Sequence, residues 1–290
     1  MSIYLKVLIN KFTSSVTLND DGIYYADSNE KVNYPDDGND ECFEIEEDSF
    51  WFQHRNNCII EMIKNYPPNH NGLIFDIGGG NGFVSKGLLN SGFNVVLVEP
   101  GPTGAKNAKR RGIPHVICAT THTAKFKAET IPAIGVFDVV EHIDDDIAFL
   151  RHLWNLLTPG GMLYLTVPAY QLLWSHEDDK AGHFHRYSLN QILERVTYVG
   201  FKISYSTYIF QSLVFAVGLF RALPYQCGFR PQSKNKSAQF QRDHILKKGF
   251  SFNLLSSLLQ HERSKVAKKL KLPFGGSCML AARKELEGFG

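Results

Sequence analysis

The sequence is poor in cysteine and has no long apolar run. It holds five cysteines in 290 residues, none in a C-x-x-C pair, so it predicts neither a structural zinc site nor a disulfide framework. The longest apolar run, 209–220, contains Gln211, stops before Arg221, and is shorter than the roughly 20 residues that cross a bilayer. The first ten residues do not resemble a signal peptide. We expect a reduced, cytoplasmic protein, either soluble or attached to a membrane surface.

Charge is nearly balanced over the whole chain but not along it. The net charge is +2, yet residues 1–50 hold 12 acidic and 3 basic residues, whereas residues 221–272 hold 12 basic and 2 acidic ones. Either the two regions neutralise each other in the fold, or the basic region meets an anionic membrane or a lipid-linked ligand.

Apolar runs alternate with helical patterns along most of the chain. Runs typical of buried strands stand at 73–76, 94–99, 116–118, 131–137, 162–167, 202–208 and 278–283. Strands that alternate with helices at this spacing predict an α/β fold with a parallel sheet and helices on both faces. Residues 22–40 have no helical period and are predicted to form turns with one short hairpin.

A glycine-rich turn follows the first predicted strand. It reads Asp76-Ile77-Gly78-Gly79-Gly80-Asn81-Gly82. Glycine lets the backbone turn tightly and approach a ligand closely. The G-x-G-x-x-G spacing of dinucleotide sites fails because Phe83 stands at its last position, and the Gly-Lys-Ser/Thr of a phosphate loop is missing.

Two carboxylates at strand ends indicate the charge of the ligand. Asp76 would repel a pyrophosphate, but it suits a ligand that carries an ammonium and a sulfonium group. Glu99 ends the second predicted strand, where an acidic side chain can accept both ribose hydroxyls.

Together these motifs resemble class I S-adenosylmethionine methyltransferases, in particular the small-molecule branch with the ubiquinone- and menaquinone-type enzymes. D-x-G-x-G-x-G at 76–82, Glu99, D-V-V-E-H-I at 138–143 and L-T-P-G-G at 157–161 carry the resemblance. It covers about 50–208 and resumes at 278–284. It implies a Rossmann-like fold, with a seven-stranded, mostly parallel sheet, an antiparallel last strand and helices on both faces.

The resemblance also implies S-adenosyl-L-methionine as cofactor and S-adenosyl-L-homocysteine as product. The glycine turn would wrap the methionine and ribose part, Glu99 would hold the ribose, and Pro100 would lie beside the adenine. Phe137 and Asp138 would flank the methionine part, and Arg55 would bind its carboxylate. The family's usual acidic residue after the third strand is missing, so we expect Thr120 or the backbone there to contact the adenine.

Three histidines are candidate general bases, because a hydroxyl acceptor needs a base that works at neutral pH. His142 follows the fourth strand and is either this base or a structural residue that opens a helix. His176 and His183 follow the fifth strand, on a loop that borders the ligand crevice of such sheets. Replacing either by alanine should cut turnover with little change in cofactor affinity. Their spacing with Asp178 fits no metal pattern, so we expect no metal, and Asp178 is expected to be a solvated loop charge.

Aromatic and basic residues near the same strand ends are predicted to form the acceptor pocket. These residues are Trp51, Tyr170, Trp174, Arg186 and Tyr187. The predicted acceptor is a small molecule, lipid-linked or anionic, methylated at a hydroxyl. Nucleic acid is not expected, because the Asp/Asn-Pro-Pro-Tyr signature is missing after the fourth strand. The alternatives are an NAD-dependent oxidoreductase and a non-catalytic cofactor-binding protein.

The sequence divides into three predicted parts. Residues 1–70 form an acidic extension with a cap helix, and residues 71–209 with 275–287 form the cofactor-binding core. Residues 210–274 form a basic helical insertion, either a substrate cap, a homodimer contact or a membrane surface. Its one predicted amphipathic helix takes apolar residues from Leu254 to Leu270.

Overall fold

The computed structural model describes residues 8–26, 37–69, 72–228 and 250–285, and within these ranges one nine-stranded sheet forms. The strands are β1 (Val16–Leu18), β2 (Tyr24–Ala26), β3 (Ile74–Ile77), β4 (Val95–Val98), β5 (Val116–Cys118), β6 (Ile131–Phe137), β7 (Leu157–Pro168), β8 (Phe201–Ile209) and β9 (Ser277–Lys284). The helices are α1 (Asp37–Ile45), α2 (Phe50–Asn65), α3 (Phe83–Asn90), α4 (Pro102–Arg110), α5 (Asp146–Leu156), α6 (His176–Ala181), α7 (Leu189–Val199), α8 (Val214–Val217), α9 (Leu223–Gln226) and α10 (Phe250–Ala267).

The strand order places the ends of the central strands side by side. The order is β1-β2-β5-β4-β3-β6-β7-β9-β8. Strands β5, β4, β3, β6 and β7 are parallel to one another, and β9 runs antiparallel between β7 and β8. All seven strands predicted from the sequence are present, and the antiparallel direction of the last one is confirmed. The carboxyl ends of β3, β4 and β6 therefore share one edge, where the predicted site residues stand.

Two further strands correct the prediction for the N-terminal region. The hairpin forms at Val16–Ala26, whereas the sequence indicated a hairpin within 22–40; residues 27–36 lie outside the described ones. Strand β2 pairs in parallel with β5 and extends the sheet. Each strand has only three residues, too few to show a two-residue period, so their pairing with a distant strand was not readable locally.

Helices cover both faces of the sheet because neighbouring strand residues point to opposite sides. Ile74 packs in one apolar cluster with residues of α2, α3 and α10, and Phe75 packs in another with residues of α5 and α7. On β9, Met279 packs in the same cluster as Ile74, and Leu280 packs in the same cluster as Phe75. The central strands are thus buried on both faces, which explains why their sequences are mainly apolar.

The helices begin and end at capping residues that are recognisable in the sequence. The Ser49 hydroxyl accepts from the amide of Phe52 at the start of α2. Ser188 and Gln191 form the predicted capping box of α7, and Gly200 ends that helix with a φ of 111°.

The segment after β8 differs from the single predicted helix. Helices α8 and α9 flank a π-helical turn at Gly218–Ala222, and α10 ends at Ala267, so Leu270 lies beyond it. Residues 229–249 of the predicted insertion lie outside the described ones. Among the helices that the structure describes, none combines the length and apolar character needed to cross a membrane. The domain boundaries themselves stay predictions.

Candidate active site

The glycine turn is shaped so that only glycine fits at several of its positions. Gly78, Gly80 and Gly82 have φ values of 70°, 51° and 76°, in the left-handed region that other residues avoid. A Cβ on Gly78 would lie 2.7 Å from Cγ2 of Val139, and one on Gly79 would lie 2.8 Å from Cδ1 of Leu97. The turn is therefore a narrow cradle packed between β4 and the turn after β6.

Asp76 is buried beneath this turn. Its side chain is 1% exposed, and its Oδ2 accepts a 2.6 Å hydrogen bond from the Ser85 hydroxyl of α3. Burial raises the pKa of Asp76 to about 6, against the opposing effects of Ser85 and Arg55. In this arrangement the carboxylate ties the turn to the helix that follows it.

Glu99 lies against the same turn from the end of β4. Its Oε2 accepts from the amide of Gly80 at 2.8 Å, and its Oε1 accepts from the amide of Gly101 at 2.7 Å. Pro100 follows, half-buried, with its carbonyl 3.8 Å from the Cys118 thiol. The carboxylate predicted to hold the ribose thus stands where the two loops meet.

Thr120 takes part in a closed turn after β5. Its amide donates to Oγ1 of Thr123 at 2.9 Å, and the amide of Thr123 donates to Oγ1 of Thr120 at 3.0 Å. These hydrogen bonds fix the loop that is predicted to contact the adenine. That contact stays a prediction.

The turn after β6 brings two predicted cofactor residues together. Arg55 of α2 forms an ion pair with Asp138, whose other oxygen accepts from the Thr166 hydroxyl at 2.8 Å. Asp138 has a φ of 57°, which marks a sharp turn. Phe137 is 7% exposed and packs over Gly135, so its ring belongs to the core as it enters this turn.

Glu141, His142 and His183 form a cluster directly after this turn. One ligand atom from each lies within 4.8 Å of the others, a geometry that could hold a metal ion, so the expectation of no metal stays a prediction. Glu141 is 1% exposed, and burial followed by Asp138 raises its pKa well above the ordinary value. Burial, and then His183, lowers the pKa of His142 to about 4, although Asp138 opposes this. Both shifts favour the uncharged forms of Glu141 and His142.

A buried aspartate holds His183 and Arg186. Asp178 accepts from Nδ1 of His183 at 2.8 Å, from Nε of Arg186 at 2.6 Å and from the amide of Ser175 at 2.8 Å. Burial acts to raise the pKa of Asp178, but the hydrogen bonds of His183 and Arg186 outweigh it and hold this pKa below its ordinary value. The expectation of a solvated charge is wrong for Asp178, whose side chain has no exposed surface. Its position in the capping box of α6 was the available sequence signal.

The loop that carries Asp178 is joined to the turn after β6. The amide of Phe184 donates to the carbonyl of Glu141 at 2.7 Å, and the rings of His142 and His183 have centroids 4.7 Å apart. The structure thus brings His142 and His183 together. His176, by contrast, is exposed at the first residue of α6.

The predicted pocket residues fall into different environments. Trp51 stacks on Phe210 with centroids 3.8 Å apart, and Tyr170 stacks on Tyr208 at 5.2 Å. Tyr187 is 1% exposed, so it lies in the core under the loop rather than on an open surface. The remaining two are Arg186, held by Asp178, and Trp174, whose Nε1 donates to Asp179 at 2.9 Å.

A contact that the sequence did not reveal connects the acidic N-terminal region to the glycine turn. Glu46, which follows α1, accepts from Nη1 of Arg111 at 2.6 Å. The same Nη1 donates to the carbonyl of Asn81 at 2.9 Å, and Asn81 also accepts from Asn107 at 3.1 Å. Acidic and basic side chains distant in sequence therefore neutralise each other beside the turn.

The family of the chain follows from a comparison with known proteins. Residues 53–205 match a methyltransferase-domain family, which is more than half of the chain, and the chain belongs to that family. The matched region is a class I S-adenosylmethionine-dependent methyltransferase domain. The narrow glycine cradle and the Glu99 carboxylate fit this cofactor, and the family favours it over the NAD-dependent alternative.

The curated relatives are similar over a limited part of their length. The chain is 28% identical over 120 residues to the mitochondrial ubiquinone biosynthesis O-methyltransferase of Homo sapiens, which covers 37% of this chain and 32% of that protein. It is 30% identical over 93 residues to the ubiquinone biosynthesis O-methyltransferase of Paramagnetospirillum magneticum, covering 31% and 37%. The matched region thus spans about a third of these relatives.

Solved structures confirm the predicted fold. A chain from the Haloferax volcanii complex that contains the Trm112 methyltransferase activator has a TM-score of 0.56 at 13% identity, covering 88% of this chain and 100% of that one. Phosphoethanolamine N-methyltransferase 2 of Haemonchus contortus, solved with S-adenosyl-L-methionine, has a TM-score of 0.53 at 18% identity, covering 88% and 58%. At these identities the likeness concerns the fold alone.

Proposed function

We propose that this cytoplasmic methyltransferase transfers a methyl group to a hydroxyl of a small molecule, with His183 as the general base. The observation that carries this proposal is the hydrogen bond from Nδ1 of His183 to the buried carboxylate of Asp178. His183 lies beside the turn after β6, since its ring centroid is 4.7 Å from that of His142, and in our proposal the acceptor meets the cofactor there.

The Asp178–His183 pair has the arrangement that a proton acceptor requires. Because Nδ1 carries the hydrogen that Asp178 accepts, Nε2 of His183 is left as the basic atom. The low pKa of Asp178 keeps this carboxylate charged, so it stabilises the imidazolium that forms when His183 takes the hydroxyl proton. Arg186 shares the carboxylate and fixes its orientation.

The cofactor supplies an electrophilic methyl group on a sulfonium. Transfer of that group is an in-line displacement, to which the protein contributes by positioning the acceptor oxygen and excluding water. Burial raises the pKa of Glu141 well above its ordinary value, which favours the uncharged form of this carboxyl beside His183. The names of the relatives, which are O-methyltransferases of ubiquinone biosynthesis, support a hydroxyl acceptor.

The acceptor surface that we propose is aromatic. Tyr170 is half-buried at the carboxyl end of β7 and stacks on Tyr208, while Trp51 is half-buried on Phe210. Flat, partly exposed rings of this kind suit an apolar or aromatic acceptor.

The test compares His183→Ala with His176→Ala and His185→Ala, using formation of S-adenosyl-L-homocysteine from a panel of phenolic and aliphatic alcohols. We expect His183→Ala to lower turnover about 100-fold or more, because general base catalysis contributes about this much, with cofactor affinity nearly unchanged. His176 is the exposed first residue of α6 and His185 lies on the loop after α6, and neither has a described hydrogen bond to Asp178. The sequence indicated both His176 and His183, but the structure favours His183, so we expect His176→Ala to retain turnover.

Added imidazole should partly restore the His183→Ala rate, and each assay is run with chelator and with added Mg²⁺ to separate a base from a metal ligand. Full activity of His183→Ala, or an equal loss of cofactor affinity, would contradict the proposal. The absence of turnover in the unmodified protein with every acceptor would favour a non-catalytic cofactor-binding protein.

A further inference from the structure

The segment after β8 exposes large apolar side chains on one side. Phe215, Leu219, Phe220 and Leu223 of α8, the π-helical turn and α9 are 73%, 57%, 74% and 51% exposed. Positions 215, 219 and 223 follow one another at the spacing of a helical stripe. Leu172, 75% exposed, lies beside them, because its carbonyl accepts from Nε2 of Gln226 at 2.7 Å. These five side chains are called the apolar face below.

We propose that the apolar face docks this methyltransferase onto the surface of an anionic lipid bilayer. A monomer rarely leaves so many large apolar side chains together in water unless they meet a partner. The segment is too short to span a bilayer, but a helix with one apolar side can lie in the plane of the interface with that side among the acyl chains.

The charge of the same region selects an anionic bilayer as the partner. Residues 221–272 hold 12 basic and 2 acidic residues, a balance of +10, directly after the apolar face in the sequence. Of the described ones, Lys268, Lys269 and Lys271 are exposed. The negative surface potential of anionic lipids attracts basic residues that come close to the membrane surface. A second copy is a poorer occupant, because it would bring two such positive regions together.

The apolar face is connected to the loop of the proposed base. The hydroxyl of Tyr225 in α9 donates to Oδ2 of Asp179 at 2.6 Å, and Oδ1 of Asp179 accepts from Trp174. Asp179 is the neighbour of Asp178, which holds His183. A bilayer at the apolar face would therefore lie beside the loop that carries the proposed base. The docking itself does not depend on the proposed hydroxyl chemistry.

The test is flotation of the full chain with vesicles of phosphatidylcholine alone and of phosphatidylcholine with phosphatidylglycerol, without acceptor. We expect binding to the anionic vesicles that weakens with added salt, and little binding to the neutral ones. The double variant Phe215→Ser with Phe220→Ser should lower the partition coefficient at least about tenfold, since burying even one such side chain is worth more than that factor. Tyr198→Ser on α7 is the matched control, because Tyr198 is also 73% exposed.

Each outcome decides for or against the proposal. Circular dichroism and cofactor affinity should be the same in all variants, because the substituted side chains are exposed. Absence of vesicle binding, equal binding to neutral and anionic vesicles, or equal binding by the double variant would overturn it. Light scattering that shows a dimer of the unmodified protein and a monomer of the double variant would also overturn the proposal, because the apolar face would then join two copies. None of these results bears on whether His183 is the base.

Discussion

Replacing Gly78 by alanine should disturb both the glycine turn and the turn after β6. The new methyl group would meet Cγ2 of Val139 at 2.7 Å, and the φ of 70° would hold alanine in the left-handed region. The backbone strain costs about 1–2 kcal/mol and the overpacking about 1–3 kcal/mol, so we expect the free energy of unfolding to fall by about 2–5 kcal/mol. Because Val139 leads into the Glu141–His142 turn, cofactor affinity and turnover should fall together.

Gly92→Ala measures the backbone strain alone, without the overpacking. Gly92 has a φ of 88° and no atom within 4 Å of an added Cβ, so its alanine variant should lose only about 1–2 kcal/mol. Val139→Ala removes the methyl group that clashes. The double variant Gly78→Ala with Val139→Ala should therefore be about 1–3 kcal/mol more stable to unfolding than the sum of the two single effects predicts.

The assay is urea unfolding of the four variants, paired with calorimetric titration of S-adenosyl-L-methionine. Equal destabilisation by Gly78→Ala and Gly92→Ala, or strict additivity of Gly78→Ala and Val139→Ala, would refute the packing argument. Lost cofactor affinity without recovery in the double variant would show that the two motifs are not coupled through this contact.

Two further predictions concern buried polar groups. Tyr187→Phe should lower the free energy of unfolding by about 1–3 kcal/mol, because the buried hydroxyl donates to Asp146 at 2.9 Å, whereas Tyr198→Phe at an exposed site should change nothing. Burial, and then His122, lowers the pKa of His152 to about 4. The unfolded chain therefore binds a proton more readily, and stability falls as the pH drops from about 6.5 to 4. His152→Phe should flatten this slope in urea titrations, and an unchanged slope would show that His152 does not cause it.

The central sheet was predictable because its strands are buried on both faces. Several of them read as short apolar runs, such as Val95–Val98, and helical patterns separate them. The glycine turn was also readable, because its left-handed positions can hold almost no other residue. The β1–β2 hairpin was misplaced because three-residue strands owe their existence to the neighbouring β5, which no local pattern contains.

The site was predictable in its position and less so in its partners. Strand-end residues such as Glu99 and Asp138 were placed correctly beside the turns, because parallel strands bring their carboxyl ends to one edge. Burial of a loop carboxylate depends on side chains that fold over it, so the capping-box position of Asp178 indicates a helix start but not its contacts with His183 and Arg186. Likewise, nothing local to Glu46 indicates that Arg111, 65 residues away, will be its partner.

The contact of Glu46 with Arg111 and Asn81 has a thermodynamic consequence. Asn81 is part of the glycine turn, while Glu46 immediately follows α1, so docking of the acidic segment and ordering of the turn share one hydrogen-bond network. A ligand that orders the turn must then strengthen the docking of the segment, and the docked segment must strengthen ligand binding by the same free energy. If the cofactor orders the turn, protease resistance around Glu46 and cofactor affinity should therefore rise and fall together.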